Sequence, residues 1–129
     1  MSYYINTKLH TSFEQTVQLV IEALKAEGFG VLTEINIHEK LNEKLGVDFR
    51  KYKILGACNP AYAYKALQKE DKIGTMLPCN VIIQELGTNE IEVAAIDPVA
   101  SMTAVDNADL KDIAGEIQKK LKTVIDKLN

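Results

Sequence analysis

The sequence predicts an α+β fold, a largely antiparallel sheet with helices packed on one face. Three observations carry this. Apolar residues recur with a period of two in some stretches and near 3.6 in others. They mark the order strand, helix, strand, two shorter helices around a strand, a hairpin and a final helix. The two late strands are separated only by Gly87-Thr88-Asn89, so they form an antiparallel hairpin. No glycine-rich turn follows the first strand, which argues against a doubly wound parallel sheet. Periodicity leaves the strand order open.

Each element has its own signal. In the stretch from Tyr3 to Leu9, Tyr3, Ile5, Thr7 and Leu9 fall on one side and Asn6 and Lys8 on the other, which is a half-buried strand. Ser12 and Gln15 stand at capping-box spacing. Phe13, Val17, Val20 and Leu24 then recur at helical intervals, so a helix runs from about Phe13 to Glu27 and stops at Gly28. Phe29, Val31, Thr33, Ile35 and Ile37 alternate as a second strand, with Glu34 expected on its less buried face. From His38 to Leu45 the pattern is helical again, and Gly46 ends it. Val47 and Phe49 are expected to tuck the next loop onto the core.

Tyr52, Ile54 and Gly56 alternate into Cys58 as a third strand. Asn59 is then a good N-cap and Pro60 suits the first helical position, so Ala61 to Lys69 reads as helix. Asp71 to Thr75 reads as loop, and Val81 to Glu85 and Glu90 to Ile96 as the hairpin strands. Asp97-Pro98 closes the hairpin and a glycine-free loop follows. Leu110, Ile113, Ile117, Leu121, Val124 and Leu128 then make a long amphipathic helix capped by Asn107 or Asp109.

Composition bounds the function. The chain has 129 residues, 47% hydrophobic and 26% charged, as expected of a single globular domain spanning residues 1–129. Its formal net charge of -3 supplies no positive field for nucleic acid or an anionic membrane, so neither is expected as a partner. No apolar run reaches a membrane span and the N-terminus lacks a signal-peptide pattern, so the expected location is cytoplasmic. Two cysteines are too few for a secreted disulfide framework and read as thiols.

Both cysteines lie between Ile54 and Val81. Each is followed by asparagine with a proline close by, in Leu55-Gly56-Ala57-Cys58-Asn59-Pro60 and Leu77-Pro78-Cys79-Asn80-Val81. These motifs, with Phe29-Gly30-Val31-Leu32-Thr33-Glu34-Ile35, Leu45-Gly46-Val47-Asp48-Phe49 and Ile96-Asp97-Pro98, resemble the family catalogued as domain of unknown function 302 over nearly the whole chain. The resemblance implies an α+β domain of TATA-binding-protein-like architecture, often a homodimer, in bacterial or archaeal cytoplasm. It brings no established reaction, and a shared fold does not carry function.

The residues themselves suggest a site. Cys58 would sit at the N-terminus of the helix opened by Asn59-Pro60, where free N–H groups and the helix dipole favour thiolate, so it is expected to be the more reactive cysteine. Cys79 follows a proline that cannot donate to a sheet ladder, so a strand is expected to begin there. Cys58-Asn59 and Cys79-Asn80 are expected to converge at one sheet end, with Asp97 nearby because Asp97-Pro98 closes the strand paired with the one after Cys79. Ligand-binding candidates are therefore Cys58, Asn59, Cys79, Asn80, Glu34 and Asp97.

For a metal, Cys58 and Cys79 would need a further ligand such as His38, and the short knuckle of a zinc site is absent. The bland alternative is that both cysteines are small buried hydrophobes and the asparagines tie down loops. The cluster of Lys119, Lys120, Lys122 and Lys127 reads as a solvated helix face. Three functions follow in order of preference. They are a small-molecule or metal-binding domain using the Cys-Asn pairs, a dimeric structural or interaction module, and a thiol-dependent enzyme needing an exposed low-pKa cysteine with a base in reach. The sequence names no cofactor and leans against catalysis.

Overall fold

The computed structural model describes residues 2–129. Five strands, β1 (Tyr4–Leu9), β2 (Gly30–Asn36), β3 (Tyr52–Cys58), β4 (Cys79–Gly87) and β5 (Glu90–Ile96), form one sheet in the order β1-β5-β4-β3-β2. Every neighbouring pair is antiparallel. The helices are α1 (Phe13–Ala26), α2 (Ile37–Leu45), α3 (Pro60–Lys69), the short α4 (Pro98–Ser101) and α5 (Asp109–Asp126).

Local chemistry sets the element ends. Ser12 caps α1 by accepting a hydrogen bond from the Gln15 N–H at 3.1 Å, and Gly28 takes the left-handed conformation at φ 87° just past its end. Gly46 does the same after α2 at φ 67°. Asp97 caps α4 by accepting from the Val99 and Ala100 N–H groups, so the stretch after the hairpin, expected as loop, opens as a helical turn. Asp71–Met76, also expected as loop, is 3-10 helix. Strand β4 begins at Cys79, directly after Pro78, as expected from the proline and two residues before its apolar run. Before α5, Asn107 accepts from the Asp109 N–H at 3.0 Å.

The core lies on one side of the sheet. From the strands it takes Leu9, Leu55, Ala57, Val81, Ile83, Ile91, Val93 and Ala95. From the helices it takes Phe13, Val17, Val20, Leu24, Ala66, Ile113, Ile117, Leu121 and Val124. Each fully buried leucine or isoleucine contributes about 1.5–3 kcal/mol. The helix α2 is the exception, because it buries no residue at all.

No helix among the described residues covers the opposite face of the sheet, and register orders it into rows. One row runs Lys8, Glu92, Gln84, Tyr52; the next Asn6, Ala94, Ile82, Ile54, Ile35; the third Tyr4, Ile96, Asn80, Gly56, Thr33. A β-bulge between Val31 and Thr33 sets the last strand's contribution to these rows. Val31 pairs with buried Ala57, but beyond the extra residue Leu32 it is Thr33 and Ile35 that face the open side. This corrects the expectation for Glu34. It pairs with buried Leu55 and so turns to the helix side, reaching water only because β2 is an edge strand.

Candidate functional site

The two Cys-Asn pairs meet the end of the sheet where β3 finishes and β4 starts. Ala57 pairs with Cys79 and Gly56 with Asn80, so Cys58 is a diagonal neighbour of Cys79, with Cα atoms about 6 Å apart from strand spacing. Cys58, Asn59 and Cys79 line one cavity with Phe29, Tyr62 and Met102, of only about 20 Å³. That volume holds at most a single water. Both thiols are free, Cys79 buried and Cys58 half-buried. Burial pushes the Cys58 thiol up, and it pushes Cys79 up to about 11 with a further contribution from the negative charge of Cys58. For Cys58 that direction is opposite to the thiolate expected from its place before α3, and its cause is burial.

The polar candidates around the cysteines are bound elsewhere. The Asn59 side chain makes no capping bond to α3. Its Nδ2 donates to the Glu27 carbonyl at 3.2 Å and pins the turn that leads from α1 into β2. Gly28 in that turn lies so close that a Cβ there would come within 3.2 Å of Asn59 Nδ2. Asp97 caps α4, and both its oxygens accept from Gln118 Nε2 at 3.0 Å, which fastens the hairpin end to α5. Glu34 forms an ion pair with Lys53 at 3.0 Å.

His38 is far from these residues. Its Nδ1 accepts from the Tyr52 N–H at 2.9 Å and lies 3.1 Å from the Tyr52 carbonyl oxygen, at the opposite end of β3 from Cys58. Six residue steps along the strand separate those ends, about 20 Å. His38 therefore cannot complete a metal set with Cys58 and Cys79. Among the described residues, no group of three or more His, Cys, Asp or Glu could hold a metal ion.

Asn80 is separated from both cysteines' shared cavity because it faces the open side. It helps line a groove of about 370 Å³ with Tyr3, Tyr4, Tyr52, Ile82, Gln84, Glu92, Ala94 and Ile96. The floor is apolar and the rim is polar. Glu92 accepts from Asn6 Nδ2 at 2.8 Å and from Gln84 Nε2 at 2.7 Å, and Gln84 Oε1 accepts from Arg50 Nε at 2.8 Å. Tyr3 and Tyr4 meet edge to face with centroids 5.1 Å apart, and Tyr3 is 67% exposed. The floor of this groove is formed by the paired strands β4 and β5.

The sequence pattern of the family described as Domain of unknown function DUF302 matches residues 5–128. The chain belongs to the DUF302 family. A crystal structure of an uncharacterized conserved DUF302 protein from Bacillus stearothermophilus is similar at 30% identity and a TM-score of 0.92, covering 100% of each chain. No curated protein matches. Within this DUF302 chain, the open-face residues Tyr52, Ile82, Gln84, Glu92 and Ala94 escaped sequence reasoning. Their signal was the unbroken apolar run Val81-Ile82-Ile83, which is apolar on both faces of β4 where a strand with one solvated face would alternate.

Proposed function

We propose that this DUF302 protein is a binding domain whose ligand, a small organic molecule, lies on the open face of the sheet in the groove over Ile82 and Ala94. One observation carries the reading: the groove combines an apolar floor with Asn80, Gln84 and Glu92 at its rim, on a sheet face that no helix covers. Its volume of about 370 Å³ falls at the small end of the range for ligand sites, roughly 300–1,000 Å³. The Cys-Asn end supports a ligand less well, since its cavity is about 20 Å³ and its thiols are held protonated. A thiol-dependent enzyme is disfavoured by the same shifts, which run opposite to those that activate a nucleophile. The two free thiols suit a reducing compartment, and the proposal includes a cytoplasmic location. No helix among the described residues is long and apolar enough to cross a membrane.

The test is a fragment screen by amide NMR on the full chain. The expected result is saturable shifts confined to Ile82, Gln84, Ala94 and their strand neighbours, abolished by Ile82→Glu. Shifts centred on Cys58 and Cys79 instead would return the site to the cysteine end.

A second observation favours self-association. Helix α2 has nine residues and buries none of them, and Leu45 at its end, Val47 and Phe49 are exposed. Isolated helices this short are marginal in water, so α2 gains from being covered. It carries Glu39, Glu43, Lys40 and Lys44, and an antiparallel copy across a two-fold axis would set acids against bases. We propose that a second copy of this chain packs there. Light scattering at micromolar concentration should give a dimer that Leu45→Glu splits; a wild-type monomer would refute it.

A further inference from the structure

We propose that the open-face groove selects organic cations, specifically a small ammonium carried on an aromatic or apolar body; this rests on the groove being the ligand site. Among its lining residues Glu92 is the only charged one, and no lysine or arginine of the described residues forms an ion pair with it. Each Glu92 oxygen accepts a single hydrogen bond, from Asn6 or from Gln84, and retains acceptor capacity toward the groove. The amide donors fix the carboxylate without neutralising it. Lys8 stands opposite Glu92 in register but is exposed and makes no bond to it.

The remaining walls suit the same ligand. Tyr3, Tyr4 and Tyr52 supply three aromatic rings, whose faces attract cations, and Ile82, Ala94 and Ile96 supply a surface for an apolar body. The protein already uses this environment for a cation of its own. The Arg50 guanidinium lies 4.3 Å from the Phe49 ring centroid and 5.9 Å from that of Tyr52, bonded to Gln84 at the groove's end. An anionic ligand would meet the Glu92 carboxylate with no free cation lining the groove to offset it.

Benzyltrimethylammonium and phenylacetate are probes of similar body and opposite charge. Titrated into the full chain and followed by amide NMR, the cation is expected to shift the Ile82 and Ala94 resonances at least about tenfold more tightly than the anion, in line with a carboxylate contact plus ring contacts. Glu92→Gln should weaken the cation about tenfold and tighten phenylacetate by relieving its repulsion, while Tyr4→Leu should weaken the cation without touching the Glu92 network. Equal binding of both probes, or tighter phenylacetate, at the groove resonances would overturn the cation preference and keep the groove. Failure of both probes to move any groove resonance would overturn the preference and the groove reading together.

Discussion

Cys58 and Cys79 differ by one step of the sheet register and by their exposure to water. Cys79 lies on the covered face opposite Ala57 at 7% exposure, and the cost of placing a thiolate there raises its pKa from the usual 9.0 to about 11. A raised thiol pKa stabilises the fold fully below pH 9, and this contribution is lost as the pH climbs to 11, because the unfolded chain gives up the proton first. That rise corresponds to on the order of 3 kcal/mol. The difference in unfolding free energy between wild type and Cys79→Ala should therefore change by that amount between about pH 9 and pH 11, measured by urea denaturation. A constant difference would show that Cys79 is not desolvated. Iodoacetamide should label Cys58 before Cys79, with the order set by access, and both should react more slowly than an unstructured thiol at neutral pH. Labelling of Cys79 first would contradict its burial.

At the scale of elements, Asp97 shows how one side chain joins three of them. It follows β5 directly, caps α4 and holds Gln118 of α5 through both carboxylate oxygens. Asp97→Ala should cost about 1–2 kcal/mol, the usual range for a lost cap, and somewhat more because Gln118 loses its partner. A double-mutant cycle with Gln118→Ala should give a coupling of about 0.5–3 kcal/mol, and strict additivity would refute the clasp. The sequence carried much of this. Asp97-Pro98 was legible as the end of the hairpin, and Ser12, Gly28 and Gly46 as helix boundaries, since caps and left-handed glycines act through near neighbours. What escaped was set by distant residues. No local pattern announces that Asn59 reaches back to Glu27, or that Gln118 reaches Asp97. The extra residue at Leu32 defeated the face assigned to Glu34, because strict alternation has no place for a bulge.

For the whole molecule, the governing feature is that the sheet is packed on one side only. The strands and helices were legible because core positions such as Val17, Leu24, Ile117 and Leu121 repeat with the helical period, and the hairpin fixed one antiparallel pair. The placement of β1 beside β5 was not legible, since pairing across most of the chain leaves no trace in local periodicity. One-sided packing makes a sharp expectation for two adjacent residues of the same type. Ile83 is fully buried on the helix-covered side of β4, whereas Ile82 points from the same strand to the open groove. Ile83→Ala should lose about 2–5 kcal/mol, the range for truncating a buried large aliphatic side chain, because the surrounding core cannot collapse onto the space. Ile82→Ala should lose about 1 kcal/mol or less, since water already reaches that side chain and no cavity forms. Chemical denaturation of the two variants measures both. Equal losses would mean that the open face is covered in solution, by a ligand or a second copy, and repeating Ile82→Ala after exhaustive dialysis at unchanged protein concentration would distinguish them, because dialysis removes a small ligand and leaves a second copy in place.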